Sequence, residues 1–266
     1  MIGQKQLIKQ IDSLIEIGFP QFVVITGDKG SGKKTIAEYI ASKVSKIHWT
    51  LEENKIANIR QMIEMSYNNY QSTLCIIPEG DTLSNAAQNA ILKIVEEPPK
   101  NTYFIMTVQD INYVLPTIKS RAFILAMEPY TRAEIKEYSK EDNELYEEVC
   151  STPGECDLLQ SMDIDEFVDF VDKVVDNLGE SSTANILKIT NNMAFKEEDK
   201  GYDLKMFFKV FIHECMTLDF KEKGHECKRL KMSIKTSKYL QKLRIKGINK
   251  SFLFTDWIIE MRGLWK

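Results

Sequence analysis

The sequence predicts an α/β domain on a parallel sheet followed by a helical remainder, and three observations carry that prediction. Short β-branched, apolar runs alternate with helical patterns up to residue 127. All seven prolines lie at or before Pro153. Beyond Pro153 the apolar residues keep a helical period that no proline interrupts. Taking the elements in order, Leu7, Ile8, Ile11, Leu14 and Ile15 form one helical stripe that stops at Gly18-Phe19-Pro20. Phe22–Thr26 reads as a strand buried on both faces, because it is apolar without alternation. Similar runs recur at Leu74–Ile77, Tyr103–Val108 and Ala122–Leu125, separated by helical patterns at Ile36–Val44, Ile56–Met65 and Asn85–Val95. Thr131 opens an acidic helical stretch reaching about Met162. Ile164, Phe167, Val168, Val171, Val174, Val175 and Leu178 then keep a clean helical period. Further helices are predicted at Ala184–Ile189, Leu204–Leu218, Met232–Leu243 and Phe252–Leu264.

With 43% apolar and 28% charged residues the chain has ordinary globular usage, which excludes a disordered protein. No apolar run approaches the roughly 20 residues needed to span a bilayer. Met1-Ile2-Gly3-Gln4-Lys5 leads into an amphipathic helix rather than a signal-peptide core, so a cytoplasmic location without a membrane partner is expected. The five cysteines are an odd number with no CxxC pair, which argues against a disulfide framework and a zinc ribbon. The triplets His213–Cys215 and His225–Cys227 put their potential ligands on nearly opposite faces of a helix, so no metal site is expected. The net charge of −4 hides an asymmetry: acidic residues dominate from Glu134 to Glu180 and basic ones from Lys221 to Lys250. The basic stretch fits DNA phosphates, but a solvated helix face or a patch complementary to an acidic neighbour is favoured over them. Tyr239 alone among aromatics falls within it, so base stacking is not indicated.

Gly27-Asp28-Lys29-Gly30-Ser31-Gly32-Lys33 follows a predicted strand and opens a predicted helix, the context of a phosphate-binding loop. Gly27, Gly30, Ser31 and Gly32 would turn backbone N–H groups inward around phosphate oxygens, and Lys33 would reach the outer phosphates. The next position normally carries a Ser or Thr that ligates Mg²⁺; here it is Lys34, with Thr35 one step later and rotated by about 100°. The strand Leu74–Ile77 ends in Pro78-Glu79-Gly80-Asp81, so proline replaces the carboxylate that would hold the metal. Glu79 survives as a vestigial base. The pattern thus favours phosphate over metal, leaving ATP as the candidate cofactor. Two adjacent lysines, Lys33 and Lys34, would neutralise its phosphates without Mg²⁺.

From Ile76-Ile77-Pro78-Glu79-Gly80-Asp81 the chain runs through Ala87-Gln88-Asn89-Ala90-Ile91-Leu92-Lys93 and Glu96-Glu97-Pro98-Pro99 to Leu115-Pro116-Thr117-Ile118-Lys119-Ser120-Arg121. These motifs, in this order over residues 1–127, resemble the clamp-loader branch of AAA+ proteins, and Ile2-Gly3-Gln4 resembles its element beside the adenine pocket. Within that branch the departures resemble subunits of the non-hydrolysing, delta-prime type. The resemblance implies an AAA+ domain at 1–127, a small helical lid at 128–163 and a helical collar for oligomerisation at 164–266. It implies other clamp-loader subunits as partners, and a sliding clamp and primed DNA through the complex. It also implies that Arg121 acts as an arginine finger in a neighbour's ATP site. Glu155, in the turn Ser151-Thr152-Pro153-Gly154-Glu155-Cys156, stands where the family has an arginine, and its carboxylate is expected to repel a γ-phosphate. Thr107 and Gln109 share the position of a further phosphate sensor. A four-cysteine zinc module common in relatives has no counterpart in Lys43–Asn58. The alternatives are an active ATPase with unusual metal coordination, resting on Lys33, Thr35 and Glu79, or an unrelated P-loop module.

Overall fold

A computed structural model of the chain describes residues 2–45, 47–68, 70–141, 143–180, 182–190, 193–194, 201–218 and 226–265. The elements of the first part are α1 (Lys5–Ile17), β1 (Phe22–Thr26), α2 (Lys33–Val44), β2 (Ile47–Thr50), α3 (Ile56–Tyr67), β3 (Thr73–Ile77), α4 (Asn85–Glu96), β4 (Thr102–Val108), α5 (Pro116–Lys119) and β5 (Phe123–Ala126). The five strands form one sheet in the order β2-β3-β4-β1-β5, and every pairing is parallel.

Helices cover both faces, which is why the inner strands read as continuous apolar runs. Phe22, Val24, Cys75, Ile77, Phe104 and Met106 point into a core shared with α3 and α4. Val23, Ile25, Leu74, Ile76 and Ile105 point the other way, into a core shared with α1 and α2. The strand β2 escapes the sequence pattern for the same reason in reverse. It is a sheet edge, and Ile47, His48 and Thr50 are exposed. Ser84 caps α4 by accepting from the Ala87 N–H, as Ser-x-x before an apolar stripe suggests.

Then follow α6 (Arg132–Ser139), α7 (Glu144–Val149), α8 (Pro153–Gln160), α9 (Ile164–Glu180), α10 (Thr183–Ile189), the two-residue strands β6 (Met193–Ala194) and β7 (Tyr202–Asp203), α11 (Leu204–Leu218), α12 (Glu226–Lys242) and α13 (Lys250–Trp265). The acidic stretch after Thr131 is thus three short helices, the first closed by a full capping box between Thr131 and Glu134. Contacts gather the chain into two compact units, Met1–Lys140 with Ser151–Gly154, and Glu141–Cys150 with Glu155–Lys266.

The core of the second unit is aromatic. Phe207 and Phe211 meet Trp257 edge-on at 5.4 and 4.8 Å, and Phe254 stacks on Trp257 at 5.5 Å. Such pairs add about 0.5–1.5 kcal/mol each beyond area burial. The Trp257 indole N–H, buried with them, donates to Thr236 Oγ1 at 2.9 Å, so the cluster leaves no polar orphan there. None of the described helices is long and apolar enough to cross a membrane.

Candidate functional site

The site begins where β1 ends. Gly30 and Gly32 carry φ of +79° and +88°, left-handed values that favour glycine, and Gly32 hands the chain directly into α2 at Lys33. The start of α2 therefore lies three residues earlier than its apolar pattern suggests. Around the loop the chain is closely fitted. A Cβ on Gly27 would lie 2.7 Å from Met127 Cβ, and Met127 N–H donates to Thr26 O at 2.8 Å. Tyr130 donates its hydroxyl to Ser31 O at 2.9 Å. Ser31 itself is 4% exposed, and its hydroxyl oxygen makes no hydrogen bond among the described residues.

Lys33 Nζ donates to Gly27 O at 2.7 Å and to Asp28 O at 2.8 Å, so the ammonium lies over the loop. Burial pulls its pKa below the usual lysine value, and the negative charges of Asp81, Asp28 and Glu79 oppose that pull. Lys34 behaves differently. Its side chain is 76% exposed and leans 3.9 Å from Glu38 along the helix surface, and Thr35 is exposed as well. The loop and Lys33 therefore converge, while Lys34 and Thr35 do not join them.

On the far side, Pro78 closes β3 and Glu79 adopts a left-handed conformation with φ of +46°. Its N–H donates to Thr107 Oγ1 at 3.1 Å, and Asn54 Nδ2 donates to Pro78 O at 2.8 Å. Asp81 is 7% exposed and accepts from Gln109 N–H at 3.0 Å and Asp110 N–H at 3.3 Å. These bonds fasten Asp81 to the end of β4. Of the two sensor candidates, Thr107 contributes its hydroxyl to this junction and Gln109 its backbone.

Two long-range clasps, absent from the sequence reading, complete the loop's surroundings. Gln4 is 3% exposed and exchanges two bonds with the Glu128 backbone, donating at 2.7 Å and accepting at 2.8 Å. The turn after Cys150 lies against the phosphate loop: Gly154 N–H donates to Gly30 O at 3.0 Å, and Thr152 Oγ1 donates to Lys29 O at 3.2 Å. A Cβ on Gly154 would stand 2.6 Å from Gly30 Cα, so Gly154→Ala must push backbone from backbone. We expect that substitution to destabilise the first unit by about 1–3 kcal/mol. Thermal unfolding checks it, since each kcal/mol should lower Tm by about 2–4 °C in a chain of this size.

Arg121 follows α5 and lies on the surface, 44% exposed. It donates through Nη1 to Thr117 O at 3.0 Å, and its Nη2 lies 3.3 Å from Glu96 Oε1. The position of α5 is set by Gln88, 2% exposed, which accepts from Leu115 N–H at 2.8 Å and donates to Tyr113 O at 3.0 Å. Gln88 thereby ties the two motifs together, a role signalled only by its place inside the first of them.

Glu155 revises an expectation. Its side chain is 8% exposed and pairs with Lys205 and Lys209 at 2.6 Å each, and Lys209 also donates to Val149 O at 3.0 Å. Burial alone would push this carboxyl's pKa up; the two lysines outweigh burial and hold it below the usual glutamate value. Two cations compensate the charge at close range, so Glu155 is not a bare repelling carboxylate. His213 Nδ1 lies 3.0 Å from Glu148 Oε2, Cys215 is buried, and His225 falls outside the described residues, as do Lys221–His225 of the basic stretch.

Comparison with known proteins gives a consistent set of similarities. Residues 42–131 match the family described as DNA polymerase III, delta subunit. A DNA polymerase III subunit delta' from Buchnera aphidicola is 28% identical over 157 residues, covering 54% of this chain and 46% of that protein. The subunit delta' of Yersinia pestis is 37% identical over 68 residues, covering 24% and 20%. The match spans less than half the length of either relative. Among solved structures, a DNA polymerase III gamma subunit-related protein of Thermotoga maritima superposes with a TM-score of 0.53 at 14% identity, covering 97% of this chain and all of that one. A RuvB variant of the same organism gives 0.50 at 17% identity, covering 84% and 79%. At those identities the likeness is one of fold, the AAA+ fold.

Proposed function

We propose that this chain, an AAA+ protein related to the clamp-loader subunits of DNA polymerase III, is a non-hydrolysing, delta-prime-like subunit that serves a partner's ATP site rather than its own. One observation carries the reading: the chain's own site keeps its phosphate half and lacks its metal half, while Arg121 stands at the surface. Gly27, Gly30, Ser31, Gly32 and Lys33 fit phosphate oxygens, and the buried Ser31 hydroxyl without a partner is the kind of atom that a phosphate would satisfy. Bound ATP would supply negative charge for Lys33 to hold. Mg²⁺ finds no such fit, because Pro78 has no side-chain ligand and Lys34 and Thr35 lie on the exposed side of α2. Glu79 remains as a carboxylate with no metal-bound substrate to act on.

In this reading the first unit presents Arg121 to a neighbouring subunit, and the helical second unit supplies contacts within a hetero-oligomer. That assembly would open a sliding clamp and place it on primed DNA. Titration of the purified chain with ATP, first with Mg²⁺ and then with EDTA, tests the proposal when hydrolysis is followed in the same samples. Binding that survives EDTA without turnover is expected. Mg²⁺-dependent turnover, abolished by Lys33→Ala and by Glu79→Gln, would overturn it in favour of an active ATPase.

A further inference from the structure

The chain leaves the second unit after Cys150 and re-enters it at Glu155, and the residues between, Ser151–Gly154, belong to the first unit. They form the turn that lies on the phosphate loop, with Gly154 N–H donating to Gly30 O at 3.0 Å and Thr152 Oγ1 to Lys29 O at 3.2 Å. A cysteine stands at each end of that turn. Cys150 closes α7, its N–H donating to Tyr146 O at 3.0 Å, and Cys156 lies in the opening turn of α8. Both are buried, at 6% and 0% exposure, and their thiols are hydrogen-bonded to each other.

Two buried thiols in contact read most simply as small apolar fillers. Their surroundings point further. Cys150 donates its S–H to the Cys156 sulfur, which favours a thiolate on Cys156 and holds the Cys150 thiol well above its usual range. The N-terminal end of α8 adds a field of the same sense. Asp157 and Glu155 oppose a thiolate there. Asp157, however, is exposed to screening water, and Glu155 is paired with Lys205 and Lys209 at 2.6 Å each. Cys75 has no such help, and burial alone pushes its thiol up to about 12. Cys156 is therefore placed as a nucleophile, with Cys150 in position to resolve it.

We propose that Cys150 and Cys156 form a peroxide-responsive dithiol, closing to a disulfide that staples the base of the turn on the phosphate loop. In the first step the Cys156 thiolate attacks one oxygen of hydrogen peroxide. An S–O bond forms, the O–O bond breaks, and hydroxide leaves a sulfenic acid behind. The Cys150 sulfur then attacks the Cys156 sulfur. The S–S bond forms, the S–O bond breaks, and the departing hydroxide carries off the Cys150 proton as water. Two thiols are oxidised to one disulfide, and one peroxide is reduced to two waters. Burial selects the oxidant, since a molecule near the size of water can reach these sulfurs where a bulky disulfide such as oxidised glutathione cannot. This inference does not depend on what the phosphate loop binds.

Treating the folded whole chain with hydrogen peroxide, blocking free thiols and digesting with trypsin without reductant tests the pairing. The peptide 141–173 holds these two cysteines and no other. It should become lighter by two hydrogens, return to its reduced mass with dithiothreitol, and stay reduced when oxidised glutathione replaces peroxide. Hydrogen exchange at the Gly154 amide reads the consequence. It should slow by about tenfold or more in the oxidised chain, because closing so short a loop removes most of the turn's open states. Cys150→Ala and Cys156→Ala should each abolish that response, and Cys75→Ala should keep it. The peptide mass and the exchange are read on the wild type, so the outcome does not rest on either variant folding. A peptide that gains oxygen instead of losing hydrogens, a disulfide that forms only in denaturant, or a Gly154 amide that exchanges equally in both forms would each overturn the inference.

Discussion

On the finger role proposed above, Arg121→Ala is expected to slow ATP turnover at a partner's site by about 10³-fold or more, the scale of an arginine finger. The measurement is the steady-state rate of the assembled complex with its remaining sites silenced. In an unsilenced complex the loss is diluted to that one site's share. The argument turns on how firmly Arg121 is held at home. Its guanidinium is 44% exposed, and its carboxylate partner Glu96 is 50% exposed, 3.3 Å away. An ion pair that open to water is worth about 0–1 kcal/mol. A γ-phosphate in a closed interface offers more negative charge and bidentate geometry in a drier place, so the exchange of Glu96 for phosphate runs toward phosphate. Arg121→Lys keeps the charge and loses the fork, and should recover only a small part of the rate. Glu96→Gln releases the arginine without removing it and should leave turnover near wild type. If Arg121→Ala left the silenced complex unchanged, the arginine would be a surface residue and nothing more.

Much of the first unit was legible in its sequence because a strand buried on both faces has no polar residue to disguise it. Phe22–Thr26 is read at its true ends for that reason. The same physics hides β2, where Ile47, His48 and Thr50 face water and the sheet's edge imposes no apolar pattern. The phosphate loop is legible because left-handed backbone at Gly30 and Gly32 selects glycine. Its supports are not. Gln4 reaches Glu128 across 124 residues, and Lys209 reaches Glu155 across 54, and no local propensity records contacts at such separations. Glu155 shows the consequence: read beside its neighbours it is a misplaced charge, and in the fold it is half of a buried ion pair.

That pair supports the second large effect. Lys209 is 11% exposed and Glu155 8%, so removing the ammonium strands a carboxylate in a site water barely reaches. Breaking a buried pair from one side costs about 3–5 kcal/mol. Lys205 also touches Glu155, but at 37% exposure its field is screened by water and compensates in part. Lys209→Met, which keeps the aliphatic stem, is therefore expected to destabilise the second unit by about 2–4 kcal/mol, seen as a fall in Tm of roughly 5–15 °C. Lys209→Met combined with Glu155→Leu should recover most of that loss, because an apolar pair needs no counter-ion. A merely packing role for Lys209 predicts the opposite, since the second substitution would then add to the first. The acid side separates the two further. The folded-state pKa of Glu155 lies below its ordinary value of 4.5, so the pair's contribution is fully present above that pH and is lost as pH falls through the lower, folded-state value. The wild type should lose stability over that acidic interval, and the doubly substituted chain, having no carboxylate there to protonate, should lose less.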